Sequence, residues 1–371
     1  MREYVLIAGV AMAVAYVLTP LVRRFALAIG AAPEVRERDV HSVPIPRLGG
    51  LAMYLALAAG LLVTHEMPRL KTVFDGPSWK GLLLAGGLIT LIGLVDDRWG
   101  MGAFTKFAGQ VAAAGILTLN GVQMQSLPLW GTTYLLPPTQ GIILTILLVV
   151  VTINAVNFID GLDGLAAGVV GIAAMAFFVY SYVLYVVNGT SRQTDSAMIA
   201  ALLAGMCLGF LPHNFNPARI FMGDTGSMLL GLLLASCSIT LTGIDANSAA
   251  SANLPALLPL VLPIAVLAVP FLDLLLAVVR RTSAGRSPFA PDKKHLHHRL
   301  LAIGHSQRRA VLLMYLWTGL LGVGMATLSV VHTSLAVLLL VGVVALFAVV
   351  LVTLPRFRSR RPSRKRESSP T

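Results

Sequence analysis

Long apolar runs, separated by short polar junctions, make up most of the chain. A membrane-spanning helix needs about twenty mainly apolar residues, with a tolerance of several. Eleven runs meet this requirement, and the fourth is the weakest because Gln110 and Asn120 interrupt it. The pattern predicts an all-α polytopic membrane protein with about eleven transmembrane helices, at residues 3–22, 48–65, 80–96, 104–122, 139–158, 162–187, 196–212, 222–243, 254–280, 309–331 and 333–354.

The composition supports this fold class. The 371-residue chain is 56% hydrophobic and 12% charged, whereas about a quarter of the residues of a soluble domain are charged. No segment is long and polar enough for a separate soluble domain. We therefore predict one transmembrane domain at residues 1–354 and a basic cytoplasmic tail at 355–371, which is expected to be disordered. Cys207 and Cys237 both lie in apolar runs, so neither a disulfide framework nor a Cys-based metal site is indicated.

Lys and Arg accumulate in the cytoplasmic loops of membrane proteins and therefore predict the orientation. Of the 28 in this chain, 23 fall in one set of loops and the tail, and 5 fall in the opposite set. The N-terminus is expected outside and the C-terminus in the cytoplasm. The tail sequence RFRSRRPSRKR is a polybasic segment that anionic lipids attract by about 1 kcal/mol per charge. Nucleic-acid binding is the alternative interpretation, and the position beside a membrane helix disfavours it.

Five aspartates lie at the ends of predicted spans, all on the predicted cytoplasmic side. Two of them stand in the junction NAVNFIDGLDGL, together with Asn154 and Asn157. Each acid alone could be a solvated or dipole-compensating residue at a helix end, and the junction alone could be a polar turn with permissive glycines. Three junctions that carry acids to one membrane face indicate a shared polar site instead, formed by Asp96, Asp97, Asp160, Asp163 and Asp224.

A cluster of carboxylates needs cations to stay ionised. Carboxylate and amide oxygens without Cys suit Mg²⁺ or Mn²⁺. Magnesium is typically held by one or two carboxylates together with the phosphates of a substrate. The acids therefore predict a magnesium site at this membrane face.

A loop rich in His and cations is the second polar feature. It reads PDKKHLHHRLL and contains His295, His297 and His298. Its spacing lacks the i,i+4 pair and distant carboxylate of a helical zinc site. We interpret it as an anion clamp, and a basic loop in contact with lipid headgroups is the alternative. The loop and the acids together suit phosphoryl transfer from a cytosolic diphosphate donor to a membrane-dissolved acceptor. The sequence has no GxxxxGK motif, which argues against P-loop nucleotide binding.

Four motifs together resemble the polyprenyl-phosphate N-acetylhexosamine-1-phosphate transferase superfamily over roughly residues 40–310: LVDD, NAVNFIDGLDGL, HNFNPARIFMGDTGS and PDKKHLHHR. Two branches compete. The phospho-N-acetylmuramoyl-pentapeptide transferase branch typically has a TPTMGG-like stretch and three consecutive His, whereas this chain has PRLGG at Pro46–Gly50 and His-Leu-His-His. The departure favours the branch that uses UDP-N-acetylglucosamine and starts lipid-linked cell-envelope glycans.

The resemblance implies a role in one cleft for each matching residue. The implied roles are magnesium ligands (Asn157 and Asp224), adjacent catalytic acids (Asp96 and Asp97), a further acid of the catalytic cleft (Asp160), the acid that hydrogen-bonds uracil (Asp163), the ring that stacks on uracil (Phe221), an active-site amide (Asn214), and loop residues that hold the diphosphate and sugar (His295, His297 and His298), of which His297 is counted as catalytic.

The implied reaction joins UDP-N-acetylglucosamine and a polyprenyl phosphate at the cytoplasmic face of the plasma membrane and releases UMP. The implied cofactor is Mg²⁺, with Mn²⁺ as a substitute, and relatives suggest a homodimer. A phosphate monoester has a second pKa near 6, so the acceptor hardly needs a strong base. Asp96 and Asp97 therefore either remove a proton or organise metal and phosphate; a covalent aspartyl-phosphate intermediate ranks third.

In the family the ninth helix bends to open a lipid groove, and the prolines that could bend it here are Pro259, Pro263 and Pro270.

Two other classes of protein remain open from the sequence. A secondary transporter would carry its acids near the bilayer midplane, and only Asp273 lies well inside a predicted span. A catalytically inert lipid-binding scaffold is the second alternative. Transfer of labelled sugar into lipid separates the enzyme from both.

Overall fold

Helices make up most of the computed structural model, which describes residues 1–32, 44–129, 132–188, 191–242, 282–283, 285 and 306–330. In chain order they are α1 (Arg2–Ala28), α2 (Gly49–His65), α3 (Ser78–Trp99), α4 (Ala103–Leu119), α5 (Pro138–Ile159), α6 (Leu165–Asn188), α7 (Ser191–Asn214), α8 (Gly223–Leu241) and α9 (Gln307–Val330), with a short 3-10 helix at Lys71–Asp75.

Among the described residues, six helices are long and apolar enough to cross a membrane, and α2 and α4 are apolar but shorter. The chain is therefore a mostly helical, multi-pass membrane protein. Each of the nine helices coincides with one of the predicted spans. The spans predicted at 254–280 and 333–354 lie outside the described residues, as do the tail at 355–371, Asp273 and the three prolines assigned to a helix bend.

The prediction of an all-α fold is wrong between α4 and α5. There β1 (Ser126–Leu129) and β2 (Thr132–Leu135) form an antiparallel hairpin in which Ser126 pairs with Leu135. The segment is too short for another helix between two spans, and β-branched and aromatic residues such as Thr132 and Tyr134 favour an extended conformation. The Ser126 hydroxyl donates to the carbonyl of Thr242 at 2.8 Å, which fastens the hairpin to the C-terminal end of α8.

Helix α8 lies at the centre of the described bundle, with almost every residue buried, and it packs against α2, α3, α5 and α7. Small residues allow the helices at its N-terminal end to come close, as is common in membrane bundles. A Cβ on Gly50 would collide with the backbone of Gly226, and one on Gly93 would collide with the backbone of Thr225. The start of α8 is therefore enclosed by the ends of its neighbours.

Two of the sequence motifs are joined by backbone pairing beside this point. Phe221 N donates to Pro46 O at 2.9 Å, Gly49 N donates to Phe221 O at 2.9 Å, and Gly50 N donates to Met222 O at 3.1 Å. The PRLGG stretch, which runs into the start of α2, thereby holds the segment that leads into α8.

Candidate active site

Asp97, near the end of α3, holds the first turn of α8. Its Oδ1 accepts from Asp224 N at 3.0 Å, and its Oδ2 accepts from Thr225 N at 3.0 Å and from Thr225 Oγ1 at 2.6 Å. Gly223 has a left-handed φ of 68°, and a Cβ there would collide with the Asp97 carboxylate. Asp97 thus satisfies N–H groups that a helix N-terminus leaves without intrahelical partners.

Lys106, in the first turn of α4, bridges two carboxylates. Its Nζ lies 2.7 Å from Asp96 Oδ2 and also contacts Asp224 Oδ2. From α5, Asn157 Nδ2 donates to Asp224 Oδ1 at 2.9 Å and to Ser227 Oγ at 2.9 Å. One ammonium therefore compensates acids from α3 and α8, and Asp224 is held from α4 and α5 at once.

A hydrogen bond between two side-chain amides joins α4 to α5 about one helical turn away from the charged cluster. Asn154 Nδ2 donates to the oxygen Oε1 of the buried Gln110 at 2.7 Å. Gln110 lies four residues after Lys106, and Asn154 lies three residues before Asn157, so each pair shares one helix face. The Gln110–Asn154 contact therefore fixes the spacing of the two helices that carry Lys106 and Asn157.

Asp160, in the junction between α5 and α6, lies close enough to Asp224 and Asp97 for their charges to affect its pKa. Burial raises the pKa of its carboxyl to about 8, and the negative charges of Asp224 and Asp97 act in the same direction, while Arg47 opposes them. Without an added cation, Asp160 therefore holds its proton at neutral pH. The acids of three junctions do meet at one end of the bundle.

A second group of polar side chains surrounds the following turn. Asp163 is 1% exposed, and its Oδ2 accepts from Asn216 Nδ2 at 2.9 Å and from Ala218 N at 3.0 Å. The buried Asn214 accepts from Gly164 N at 3.1 Å and donates to Ile220 O at 3.0 Å. These two side chains hold the segment that leads to Phe221.

The donor set fits magnesium only as part of a complex with a substrate. Among the described residues no group of three or more His, Cys, Asp or Glu is arranged to hold a metal by itself. Asp96 and Asp224 could supply two carboxylates to a divalent cation, and the amide oxygen of Asn157 could supply a third oxygen ligand. Mg²⁺ is commonly bound by one or two carboxylates with substrate phosphates and water, so the set suits a diphosphate complex of Mg²⁺.

The sequence and the structure differ most over which residues complete the site. Eight of the predicted site residues lie at the same end of the bundle, whereas His295, His297 and His298 lie outside the described residues. Sequence reasoning missed Lys106, Thr225 and Ser227. Lys106 is one of the 23 basic residues that the sequence analysis assigns to the cytoplasmic loops and tail. Its position at the start of the span that follows two adjacent acids is a signal in the sequence that points to it.

Comparison with known proteins places the chain among membrane transferases. A sequence model of glycosyl transferase family 4 matches residues 79–242. The chain is 47% identical over 365 residues to the decaprenyl-phosphate N-acetylglucosaminephosphotransferase of Mycolicibacterium smegmatis. The aligned region covers 96% of this chain and 90% of the relative. A probable undecaprenyl-phosphate N-acetylglucosaminyl 1-phosphate transferase of Bacillus subtilis is 31% identical over 81% of this chain and 78% of its own length. A phospho-N-acetylmuramoyl-pentapeptide-transferase of Nocardia farcinica is 33% identical over a smaller share, 65% of this chain and 77% of the relative.

Proposed function

Because the chain belongs to glycosyl transferase family 4, in the branch of polyprenyl-phosphate N-acetylglucosamine-1-phosphate transferases, we propose that it transfers N-acetylglucosamine-1-phosphate from UDP-N-acetylglucosamine to a polyprenyl phosphate and releases UMP. The product is the first lipid-linked intermediate of a cell-envelope glycan. We further propose that the site faces the cytoplasm, where UDP-sugars are made, as the bias of Lys and Arg predicts.

The observation that carries this proposal is the meeting of Asp96, Asp224, Asn157 and Lys106 from four helices at one end of the bundle. A diphosphate brings negative charge that a cluster of acids alone would repel. The bridging ammonium of Lys106 offsets part of that repulsion. A divalent ion, Mg²⁺ with Mn²⁺ as a substitute, is expected on Asp96, Asp224 and Asn157.

The chemistry requires one bond to form and one to break. An oxygen of the lipid phosphate attacks the phosphorus next to the sugar, and the bond from that phosphorus to the oxygen of UMP breaks. When bound, Mg²⁺ supplies charge neutralisation to the diphosphate during attack and departure. Lys106 is positioned to interact with phosphoryl oxygens through fixed electrostatic stabilisation. The acceptor is mostly dianionic at neutral pH because its second pKa is near 6, so no strong base is required.

The geometry supports different roles for the two adjacent acids. Both oxygens of Asp97 are engaged by the first turn of α8, which suits a positioning residue that sets the place of Asp224. Asp96 has its carboxylate on Lys106, which suits an organiser of metal and phosphate. For Asp163, Oδ2 accepts from Asn216 and Ala218, and we propose that the same carboxyl group contacts uracil. Phe221 remains the proposed stacking partner of uracil.

An assay of the purified full chain tests the function. We expect radiolabel from UDP-N-acetylglucosamine to enter the lipid phase with polyprenyl phosphate and Mg²⁺, with release of UMP, and EDTA to stop it. Asp224→Asn should abolish transfer, whereas Asp75→Asn, in the short 3-10 helix, should not. Exclusive use of the muramoyl-pentapeptide donor would overturn the choice of branch. Unmodified sugar crossing the membrane of proteoliposomes, without UMP release, would indicate a transporter.

A further inference from the structure

Asn216 uses its whole side-chain amide to connect three parts of the chain. Its Nδ2 donates to Asp163 Oδ2 at 2.9 Å and to Gln307 Oε1 at 2.8 Å. Arg308 Nε donates to the backbone carbonyl of Asn216 at 3.0 Å and lies 3.3 Å from its Oδ1. Both amide hydrogens and the amide oxygen therefore have partners. We call Asp163, Asn216, Gln307 and Arg308 the Asn216 node.

The node connects the turn after α5 with the first turn of α9. A second contact between the same elements lies further along α9, where the Tyr315 hydroxyl donates to Gly164 O at 2.5 Å. Gly164 follows Asp163 directly and has a left-handed φ of 77°. A Cβ on Gly168 would collide with the Tyr315 ring, so the glycine is what lets α9 lie against the start of α6. Helix α9 therefore holds the Asp163–Gly164 turn at two points.

Gln307 contacts Asn216 through only one atom of its side-chain amide, the oxygen Oε1. Its Oε1 accepts from Asn216, whereas its Nε2 is buried and has no hydrogen-bond partner among the residues that the structure describes. A buried polar atom without a partner is costly, and native structures keep few of them. The cost is tolerated here while Oε1 stays directed at Asn216, which suggests that the contact with Asn216 has a use beyond the stability of α9.

We propose that Asn216 and Gln307 are positioning residues for the nucleotide-sugar donor: through them α9 sets the orientation of Asp163 and of the turn between α5 and α6. The inference rests on the proposed function, because it concerns the donor of that reaction. Asp160 lies at the start of the same turn, and Asn157 lies one helical turn earlier in α5, where it contacts Asp224 of the charged cluster. Loss of the node is therefore expected to act first on Asp163, which Asn216 contacts directly.

The test compares Gln307→Met with Gln307→Glu in steady-state transfer assays on the full chain. Met has a similar length but cannot accept from Asn216, so we expect the KM for UDP-N-acetylglucosamine to rise roughly three- to tenfold, the effect of about one hydrogen bond. The kcat and the KM for polyprenyl phosphate should stay unchanged. Glu keeps an acceptor oxygen for Asn216 and should restore most of the donor KM. Leu312→Ala, at a residue of α9 that is 54% exposed, is the control and should behave as wild type.

Two more variants separate positioning from folding. Asn216→Ala combined with Gln307→Met should raise the donor KM no further than Asn216→Ala alone, because both changes break the same connection. Gly168→Ala should raise the donor KM as well, because it displaces Tyr315 and with it α9. A fall in kcat at constant donor KM in Gln307→Met would mean that the node only supports folding, and wild-type values would mean that it has no role; either result overturns the inference. Absence of any transfer by the wild-type chain would instead defeat the proposed function itself.

Discussion

Replacement of Lys106 by Met removes the ammonium group that bridges Asp96 and Asp224. At the 2.7 Å separation from Asp96 and an effective dielectric constant of about 20, one such pair has a Coulomb energy of about 6 kcal/mol. The side chains are well shielded, with 23% of Lys106, 14% of Asp96 and 23% of Asp224 exposed. Desolvation offsets part of the attraction, and loss of one partner of a buried pair costs about 3–5 kcal/mol because the remaining charge is uncompensated. We expect a destabilisation in that range.

The assay is thermal unfolding of the purified full chain in detergent, with EDTA and with excess Mg²⁺. In EDTA, Lys106→Met should unfold several degrees below the wild type. Mg²⁺ should restore most of the difference, because a divalent cation replaces the lost positive charge between the carboxylates. Transfer at saturating Mg²⁺ should still fall on the order of 100-fold, the usual loss when one fixed electrostatic contact to the reacting group is removed.

Two variants make the result specific. Lys106→Arg keeps the charge and should lose less stability in EDTA than Lys106→Met. Lys80→Met removes a lysine at the opposite end of the bundle, where its ammonium lies 5.5 Å from the centroid of the Trp79 ring, and it should change neither stability nor transfer. Equal unfolding midpoints for Lys106→Met and Lys80→Met in EDTA, together with undiminished transfer, would refute the assignment of Lys106 to the site.

Three further changes probe the same end of the bundle. Gly223→Ala puts a Cβ against the Asp97 carboxylate at a left-handed φ and should cost about 1–3 kcal/mol of unfolding free energy, measured by thermal unfolding. Asp97→Asn replaces one acceptor by a donor that faces Asp224 N or Thr225 N, so the Mg²⁺ concentration for half-maximal transfer should rise; an unchanged requirement would argue against a positioning role. Asp160 has a pKa of about 8 in the folded chain and about 4 when unfolded, so its folded state binds more protons and stability falls as pH rises through this window. In EDTA the unfolding midpoint of the wild type should therefore drop between about pH 4 and pH 8, and Asp160→Asn should flatten the profile.

The helices were predictable because a membrane span must be apolar along its whole length, whereas their ends depend on single residues. Helix α1 continues to Ala28, beyond the predicted limit at residue 22, and passes Arg23. The Arg23 side chain reaches out to donate to Arg219 O at 2.9 Å, so the charge does not stop the helix. Helix α6 begins at Leu165, later than the predicted 162, because Gly164 turns the chain with a φ of 77°.

The candidate site was predictable as a set of acids but not as a set of contacts. The sequence could place the aspartates near helix ends on one membrane face, because each stands where an apolar run begins or ends and the bias of Lys and Arg predicts the orientation. Motif spacing alone did not select Lys106 among 28 basic residues. Lys106 follows the two adjacent acids closely in the sequence, but only tertiary packing brings the start of α4 beside the start of α8. Gln110 was similarly misleading in the sequence, where it weakened a predicted span, while in the structure it pairs with Asn154 and aligns α4 with α5.

The adjacent acids Asp96 and Asp97 show why sequence neighbours can have different roles. Successive residues of an α-helix point about 100° apart, so the two carboxylates at the end of α3 meet different partners. Asp97 faces the N–H groups of α8 and satisfies them with both oxygens, while Asp96 faces the ammonium of Lys106. Both oxygens of Asp97 are engaged by backbone and hydroxyl donors, which fixes the carboxylate against the first turn of α8. The arrangement therefore favours an organising role for both acids. Asp97 sets the position of Asp224, and Asp96 shares the ammonium of Lys106 with Asp224.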